Sequence, residues 1–383
     1  MSKQNLLKNL ARSVLHTAQA ATTSGKSQAA PKLIIAMAER DGAHLTELRR
    51  RFDFFMPRLP WDDVQLTNEV NWKWCKPETT ILRFGIDAPP DLLARVHGGI
   101  FDIDWRTNPL DGWHWIDAAS RVQNHVVDLT RASQSYRAFK ADVADRAAVG
   151  TTIFGTGPSL ELARQRTWRE GVRIVCNTIV RDADLWHHID PDMVVAGDGI
   201  YHFGFTAFAE AFRSDLIARL NESARTKFLY PAQFDIVVRR SMPNDLHTRL
   251  VPVPVGTGLD IHTSLKRLEL PALGNVLNLL LLPVACDISR QVSLWGFDGR
   301  APTDQLFWSN SAKQSYAELL PGLQAAHPAF FDHNVPKDDP EKYLRSVYGD
   351  VLENCLRQAE AEGWTFRMLH KSWTKSLADR SVE

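Results

Sequence analysis

The chain has no excess of charge of either sign. Its 383 residues include 45 Lys+Arg and 45 Asp+Glu, so the formal net charge is zero. A neutral chain has no general electrostatic attraction to nucleic acid, and we therefore predict no nucleic-acid partner. Any ligand that carries phosphate must instead be held by a local site.

Cysteine is scarce, and the few cysteines are unpaired in the sequence. They lie far apart and form no C-x-x-C pair, at Cys75, Cys176, Cys286 and Cys355. This spacing argues against a structural zinc site and against a disulfide framework, and it fits a reducing cytoplasm.

Long apolar runs are also missing. No stretch of about 18 apolar residues exists to predict a membrane span, and the longest apolar stretch, 276–285, reads as a buried helix. The N-terminus lacks the pattern of a signal peptide. Residues 1–31 predict a short helix followed by a flexible linker. The helix packs against the rest of the protein or frays. Alternatively, its stripe of leucines attaches the protein peripherally to the inner membrane.

What is present is an ordinary globular composition in a chain long enough for two domains, with 44% hydrophobic and 23% charged residues. Residues 32–149 are rich in tryptophan, with strand-like alternation in 80–84 and 99–104, and predict a smaller α+β domain. From residue 150 to 383, short strands alternate with helices. This pattern predicts an α/β domain with a doubly wound, mostly parallel, Rossmann-like sheet.

The most informative local pattern is Gly155-Thr156-Gly157-Pro158-Ser159, which follows the predicted strand 151–154. Glycine allows a sharp turn and has no Cβ to hold a ligand away. The N–H groups of the helix that follows would point at an anion. The pattern has neither the third glycine of the dinucleotide fingerprint nor the lysine of a Walker loop. It predicts part of a nucleotide-binding site or, alternatively, a purely structural connection.

Other polar residues follow later strands of the same predicted sheet. Asn177 ends the second strand of this domain and Asp198 follows the third, while Gly274-Asn275 begins a later helix. Ligands of open α/β sheets bind at the carboxyl ends of the strands. We therefore predict that these residues hold the nucleotide, although Asn177 could instead be a helix cap.

A second group follows the predicted strand 291–295. Asp298 ends that strand, and Arg300 is a natural partner for phosphate, with a surface salt bridge as the alternative. His333 follows in the sequence and could accept a proton from a hydroxyl nucleophile, with His327 as its competitor. We predict catalytic roles for Asp298, Arg300 and His333.

Metal-binding patterns are weak. Asp102-Ile103-Asp104 matches a two-residue D-x-D motif, but the alternation around it predicts that both acids face solvent. His187 and His188 are adjacent, which is poor spacing for one metal on a helix. We predict no metal site.

Taken together, Gly155 to Leu160, Cys176-Asn177 and the strand that ends Gly296-Phe297-Asp298 resemble the bacterial sialyltransferases that modify lipooligosaccharide. The pattern is also similar to motility-associated glycosyltransferases and to archaeal hydroxymethylpterin pyrophosphokinase-like proteins. The resemblance covers roughly residues 150–370.

This resemblance implies a CMP-activated sugar as donor, asparagines that hold it, and a histidine base. Asn177 matches one of the asparagines, and His333 lies at the matching distance beyond Asp298. Thr156 stands where that family has asparagine, and Arg300 where it has a phosphate-binding tyrosine. An arginine there could still stabilise the charge of the departing CMP.

The sequence thus predicts an inverting glycosyltransferase that moves an acidic sugar, of the nonulosonate or Kdo type, from CMP to a cell-surface glycan acceptor. No cofactor is required in this mechanism. One alternative is a pterin-type pyrophosphokinase that uses ATP and Mg²⁺, held by Asp198, Asp298 and Asp304. The other is a protein that binds a nucleotide sugar without catalysis.

Overall fold

The structure is a computed structural model of the chain. It describes residues 33–38, 41–61, 64–68, 75–299, 313, 315–333 and 349–382, and leaves the side chains of residues 65, 333, 349 and 350 undescribed. The predicted N-terminal helix and linker, Arg300 and Asp304 lie outside these ranges.

Seven parallel strands form the larger sheet, in the spatial order β11-β10-β5-β6-β7-β8-β9. The strands are β5 (Thr151–Phe154), β6 (Val172–Cys176), β7 (Met193–Val195), β8 (Lys227–Pro231), β9 (Leu250–Val253), β10 (Gln291–Trp295) and β11 (Thr365–Met368). Most of their residues are buried, as expected when helices cover both faces of a parallel sheet. The predicted Rossmann-like α/β architecture is confirmed at this level.

Helices connect these strands on both faces. Their bounds are Leu129–Asp142, Ala144–Val149, Ala183–Ile189, Ala207–Glu222, Asp235–Ser241, Leu282–Ile288, Leu320–Ala326, Pro328–His333, Gly349–Ala361 and Lys375–Ala378. Two predicted helices have tighter or wider turns than expected: Pro158–Gln165 is a 3₁₀ helix, and Leu277–Leu281 is a π-helical turn that leads into Leu282–Ile288.

The smaller sheet has the order β2-β1-β3-β4, with β1 (Leu33–Met37), β2 (Gln65–Thr67), β3 (Thr80–Phe84) and β4 (Ile100–Asp102). All its pairs are parallel. The helices Gly42–Phe55, Leu92–Arg95 and Asp111–Val122 accompany it. Parallel pairing requires crossovers, so this part is arranged as α/β rather than as the predicted α+β domain.

One hydrophobic cluster joins the two sheets. It includes Phe52 and Trp115 from the N-terminal part and Phe154, Val194 and Phe228 from the larger sheet. The helix Leu129–Asp142 precedes the predicted boundary at 150 but packs on β9. The predicted division into 1–31, 32–149 and 150–383 stays a prediction, because the core runs across residue 150. Among the described residues no helix is both long and apolar enough to cross a membrane.

Candidate functional site

The strand order reverses between β5 and β10, and this reversal defines the switch point of the sheet. From β5 the chain proceeds outward through β6, β7, β8 and β9, whereas β10 and β11 lie on the other side. The crossovers on the two sides of such a point leave a crevice at the carboxyl ends of the strands. The residues that follow β5, β6, β7 and β10 are the ones that the sequence analysis selected.

The glycine turn after β5 is bonded directly to the loop after β10. The N–H of Gly155 donates to the carbonyl of Trp295 at 2.8 Å, and that of Gly157 donates to the carbonyl of Gly296 at 2.8 Å. A Cβ on Gly155 would lie 2.6 Å from the Gly296 carbonyl, and one on Gly157 would lie 2.7 Å from it. Both glycines are therefore required by the close approach of two protein backbones.

Asp298 occupies the position at which a bound anion was predicted. Its carboxylate accepts hydrogen bonds from the backbone N–H of Ser159 at 3.1 and 3.2 Å and from Ser159 Oγ at 2.9 Å. The N–H groups of Gly155, Gly157 and Ser159 are thus already donated within the protein. A phosphate at this turn would have to displace Asp298. The predicted catalytic role of Asp298 stays a prediction.

His370, which the sequence analysis missed, completes this corner. It follows β11, and its Nε2 lies 2.9 Å from the N–H of Gly296 and 2.8 Å from Ser159 Oγ. Its Nδ1 lies 2.8 Å from the carbonyl of Lys371. Because an N–H must face that carbonyl and Nε2 must accept from Gly296, the neutral Nδ1–H tautomer fits. We call Gly155, Gly157, Ser159, Asp298 and His370 the glycine-turn corner.

Asn177 lies one strand further along, directly after β6. Its φ is +50°, in the left-handed region that asparagine tolerates better than other residues with a Cβ. Its Oδ1 is buried and has no hydrogen-bond partner among the described residues. That Asn177 offers its side chain to a ligand stays a prediction.

Asn275 comes directly before the helical segment that packs against β6. Its φ is +59°, and its Oδ1 accepts the N–H of Asn278 at 3.0 Å. The Nδ2 of Asn275 is buried and finds no partner in the part of the chain that the structure describes. Gly274 is exposed, and a Cβ added there would meet nothing within 4 Å.

Asn278 is the most notable residue of this segment, and the sequence analysis regarded it only as an interruption of an apolar helix. It is 2% exposed, and within the described ranges neither Nδ2 nor Oδ1 has a partner. An unpaired buried amide is costly, and most buried polar atoms in native proteins are hydrogen-bonded. The side chain of Asn278 therefore has hydrogen-bonding capacity that no described residue uses.

The fold places these asparagines at one edge of the sheet. The segment from Val276 to Ile288 ends just before β10, so it runs antiparallel to the strands and begins at their carboxyl ends. A Cβ on Gly197, after β7, would lie 2.9 Å from Leu280. The π-helical turn packs against β6, the strand that Asn177 follows. We call Asn177, Asn275 and Asn278 the asparagine cluster.

Asp198 lies at the end of the next strand, β7. Its Oδ1 accepts the N–H groups of Ile200 and Tyr201, both at 2.8 Å. Burial raises the pKa of Asp198 to about 6, although these two hydrogen bonds act in the opposite direction. From β10 to β7 the edge spans three inter-strand spacings, so the predicted residues are spread over about 14 Å of it.

The two candidate histidines have different surroundings. His333 ends the helix Pro328–His333, and its side chain is outside the described residues. His327 is 2% exposed, and its Nδ1 lies 2.9 Å from Asp111 Oδ2. Arg51, fully buried, also contacts that carboxylate at 3.3 Å. Burial lowers the pKa of His327.

The D-x-D motif serves the local fold. Asp104 is buried and accepts the N–H of Arg106 at 3.0 Å and the hydroxyl of Thr107 at 2.8 Å, so the prediction that it faces solvent is wrong. Asp102 is partly exposed beside Arg83. Across the described ranges no three His, Cys, Asp or Glu residues are grouped so that they could hold a metal ion.

A cleft of about 510 Å³ lies at the opposite edge of the sheet, where Lys140, Arg290 and Gln291 line it. Its cations are engaged, because Lys140 Nζ lies 3.0 Å from Asp287 and Arg290 stacks 4.3 Å from the Trp364 ring. We place the candidate site at the carboxyl edge instead, since unpaired polar groups and the switch point both occur there.

The chain was also compared with known proteins. No protein-family model matches its sequence, and neither a curated protein nor a solved structure shows significant similarity to it.

Proposed function

We propose that the protein is a glycosyltransferase that binds a nucleotide-activated sugar at the carboxyl edge of the seven-stranded sheet. The donor is a CMP-linked acidic sugar of the nonulosonate or Kdo type, and the acceptor is a cell-surface glycan precursor. The reaction inverts the anomeric carbon in one displacement and requires no cofactor. The cytoplasm, with or without peripheral contact with the inner membrane, is the proposed location.

The asparagine cluster is the observation that carries this proposal. Asn177 follows β6, and Asn275 and Asn278 belong to the segment whose π-helical turn packs on β6. Each has at least one buried amide atom unpartnered among the described residues. An amide offers both donors and an acceptor, which matches the alternating donors and acceptors on the edge of a cytosine base. A nucleotide that pairs with these atoms would remove a desolvation cost that the ligand-free protein bears.

The remaining parts of the donor would extend along the same edge. In this proposal the phosphate lies toward β10, where Arg300 follows Asp298 in the sequence and would neutralise the leaving CMP. The resemblance of the glycine turn and of Cys176-Asn177 to sialyltransferases supports cytidine as the base. The glycine-turn corner would then form a rigid wall of the site, since its N–H groups are paired within the protein.

Ligand-induced stabilisation tests this proposal directly. We expect CMP, added without metal at 100 times its dissociation constant, to stabilise the fold by about 2.7 kcal/mol, measured by thermal or urea denaturation. ATP with Mg²⁺ serves as the comparison. Stabilisation by ATP and Mg²⁺ alone would favour the pyrophosphokinase alternative, and the absence of any effect of cytidine nucleotides would refute the CMP site.

Product analysis separates a transferase from a binding protein. Incubation with CMP-N-acetylneuraminate or CMP-Kdo and a lactosyl acceptor should yield a glycoside and free CMP in equal amounts. Binding of CMP without release from either donor would support the non-catalytic alternative.

A further inference from the structure

A partly exposed aromatic surface lies beside Asp198. It is formed by Trp113, Tyr201 and Phe330, which come from three distant segments of the chain. The ring centroids of Trp113 and Phe330 are 6.1 Å apart, and those of Tyr201 and Phe330 are 6.0 Å apart. The helix Asp111–Val122 thus brings a tryptophan of the N-terminal part to the edge of the larger sheet.

The loop after β7 connects this aromatic surface to the carboxylate. Gly199 lies directly under Trp113, since an added Cβ would be 3.2 Å from three atoms of the indole. Tyr201 donates its N–H to Asp198 Oδ1. Carboxylate and rings are therefore held by the same four-residue segment, 198–201.

One oxygen of Asp198 is fixed and the other is available. Oδ1 accepts two backbone N–H groups, while Oδ2 forms no hydrogen bond to any residue that the structure describes. Asp198 is partly exposed. These two bonds hold the carboxylate in one orientation, and they leave Oδ2 without a partner among the described residues.

The described groups that pack around Asp198 include His202 and Arg213. His202, behind it, accepts the N–H of Asp198 through Nδ1 at 3.3 Å, and burial lowers the pKa of His202 to about 3, so the ring is neutral. Arg213 is turned away and donates to the carbonyls of His202 and Gly204. No ion pair of Asp198 occurs among the described residues, and burial accounts for the raised pKa of its carboxyl.

We propose that Asp198 is the catalytic base of the transfer and that the aromatic surface holds the sugar ring of the acceptor; this inference rests on the glycosyltransferase function proposed above. Sugar rings present C–H faces that pack on aromatic side chains. The acceptor hydroxyl gives its proton to Asp198 Oδ2 as its oxygen bonds to the anomeric carbon. The bond from that carbon to the phosphate oxygen breaks, and its electron pair leaves with CMP.

The asparagine cluster, one strand away around β6, would then bind the nucleotide, while β7 supplies the base. Donor and acceptor would meet between neighbouring strands, which are about 4.8 Å apart. This placement differs from the one implied by the family resemblance, in which a histidine after β10 is the base.

Asp198→Asn tests the base, because the amide oxygen can still accept the N–H groups of Ile200 and Tyr201. We expect kcat for transfer to fall by a factor of about 10² to 10⁴, with the dissociation constant of CMP within about twofold of that of the unaltered protein. Wild-type kcat/KM should fall below about pH 6 as Asp198 becomes protonated, and the residual activity of the variant should lack this acidic limb. Asp102→Asn, which alters a partly exposed aspartate outside the proposed site, is the matched control and should retain transfer.

Trp113→Ala tests the acceptor surface separately. It should raise the acceptor KM about tenfold, because the aromatic face that packs on the sugar ring is lost, and leave CMP affinity unchanged. The base assignment is overturned if Asp198→Asn transfers within threefold of wild type, or if it loses CMP binding together with transfer. If the wild-type protein does not bind CMP, the proposed function is refuted, and so is the assignment of Asp198 as the base.

Discussion

The two halves of the same sheet edge satisfy their polar groups in opposite ways. At the glycine-turn corner, the N–H groups of Gly155, Gly157 and Ser159 all donate to protein oxygens. At the asparagine cluster, buried amide atoms on three side chains find no partner within the described residues. Both halves carry sequence signals typical of a ligand site, but only the second has hydrogen-bonding capacity to spare.

The contrast shows that a glycine-rich turn is not sufficient evidence for a phosphate site. Two parallel strands that meet at a switch point bring their following loops into contact, and glycine is then needed for the packing itself. Asp298 supplies the negative charge that the start of the following helix favours. In the glycine-turn corner, the carboxylate of Asp298 pairs with the turn, so the corner has a structural role. The amides of the asparagine cluster can still form further hydrogen bonds.

The largest expected effect on stability is at the glycine-turn corner. Gly157→Ala places a methyl group against the Gly296 carbonyl, 2.7 Å away, and against Asp298, so it should lower the free energy of unfolding by about 2–3 kcal/mol. Urea denaturation measures this. Gly274→Ala is the control, because the added Cβ there meets nothing within 4 Å, and it should change stability by no more than about 0.5 kcal/mol. Equal losses of stability in both variants would contradict the structural role of the glycine-turn corner.

A change of opposite sign is expected in the asparagine cluster. Asn278→Leu replaces an unpartnered buried amide with an apolar side chain of similar size, so the ligand-free protein should become more stable by about 1–2 kcal/mol. Binding of CMP, measured by calorimetry, should weaken at least tenfold. Destabilisation without ligand would mean that water already pairs this side chain in the protein.

Asn108 provides the matched comparison for Asn278. Its Nδ2 donates to the Asp102 carbonyl at 2.5 Å, and its Oδ1 accepts the N–H of Leu110 at 2.9 Å. Asn108→Leu removes satisfied hydrogen bonds and should therefore destabilise the fold, by about 1–3 kcal/mol, without changing CMP affinity. The two asparagine variants thus differ in the sign of their effect on stability.

The smallest effect is expected at Ser159. Ser159→Ala removes the hydroxyl contacts with Asp298 and His370 but keeps the backbone N–H bond to Asp298. Stability should fall by about 1 kcal/mol, and CMP affinity should stay within twofold. A tenfold loss of CMP affinity would show that the glycine-turn corner is part of the ligand site.

Much of the larger sheet follows from local sequence. Short runs such as 151–154 and 291–295 contain β-branched and aromatic residues and are followed by glycine, and both form strands at the predicted residues. The wrong expectations arose where local pattern is ambiguous. Alternation at 80–84 and 99–104 predicted strands correctly, but it could not show that they pair in parallel.

The site was predictable to the extent that it follows strand ends. The positions of Asn177, Asp198 and Asp298 after successive strands could be read from the sequence, and the structure places them along one edge. His370 follows β11 and could have been found by the same rule. Asn278 could not, because an asparagine in an apolar helix carries no sign of whether it is paired.

Local sequence indicated the strands of the larger sheet and the shared edge of their polar ends, because burial of β-forming runs and glycine turns are local properties. Tertiary structure alone decided which polar groups remain unpaired. Whether an N–H or amide finds a partner depends on segments far apart in the chain. The carboxylate of Asp298 accepts a hydrogen bond from Ser159 across 139 residues, while no described residue pairs with the side-chain amide of Asn278. Trp113 likewise reaches Gly199 only because two sheets share one core.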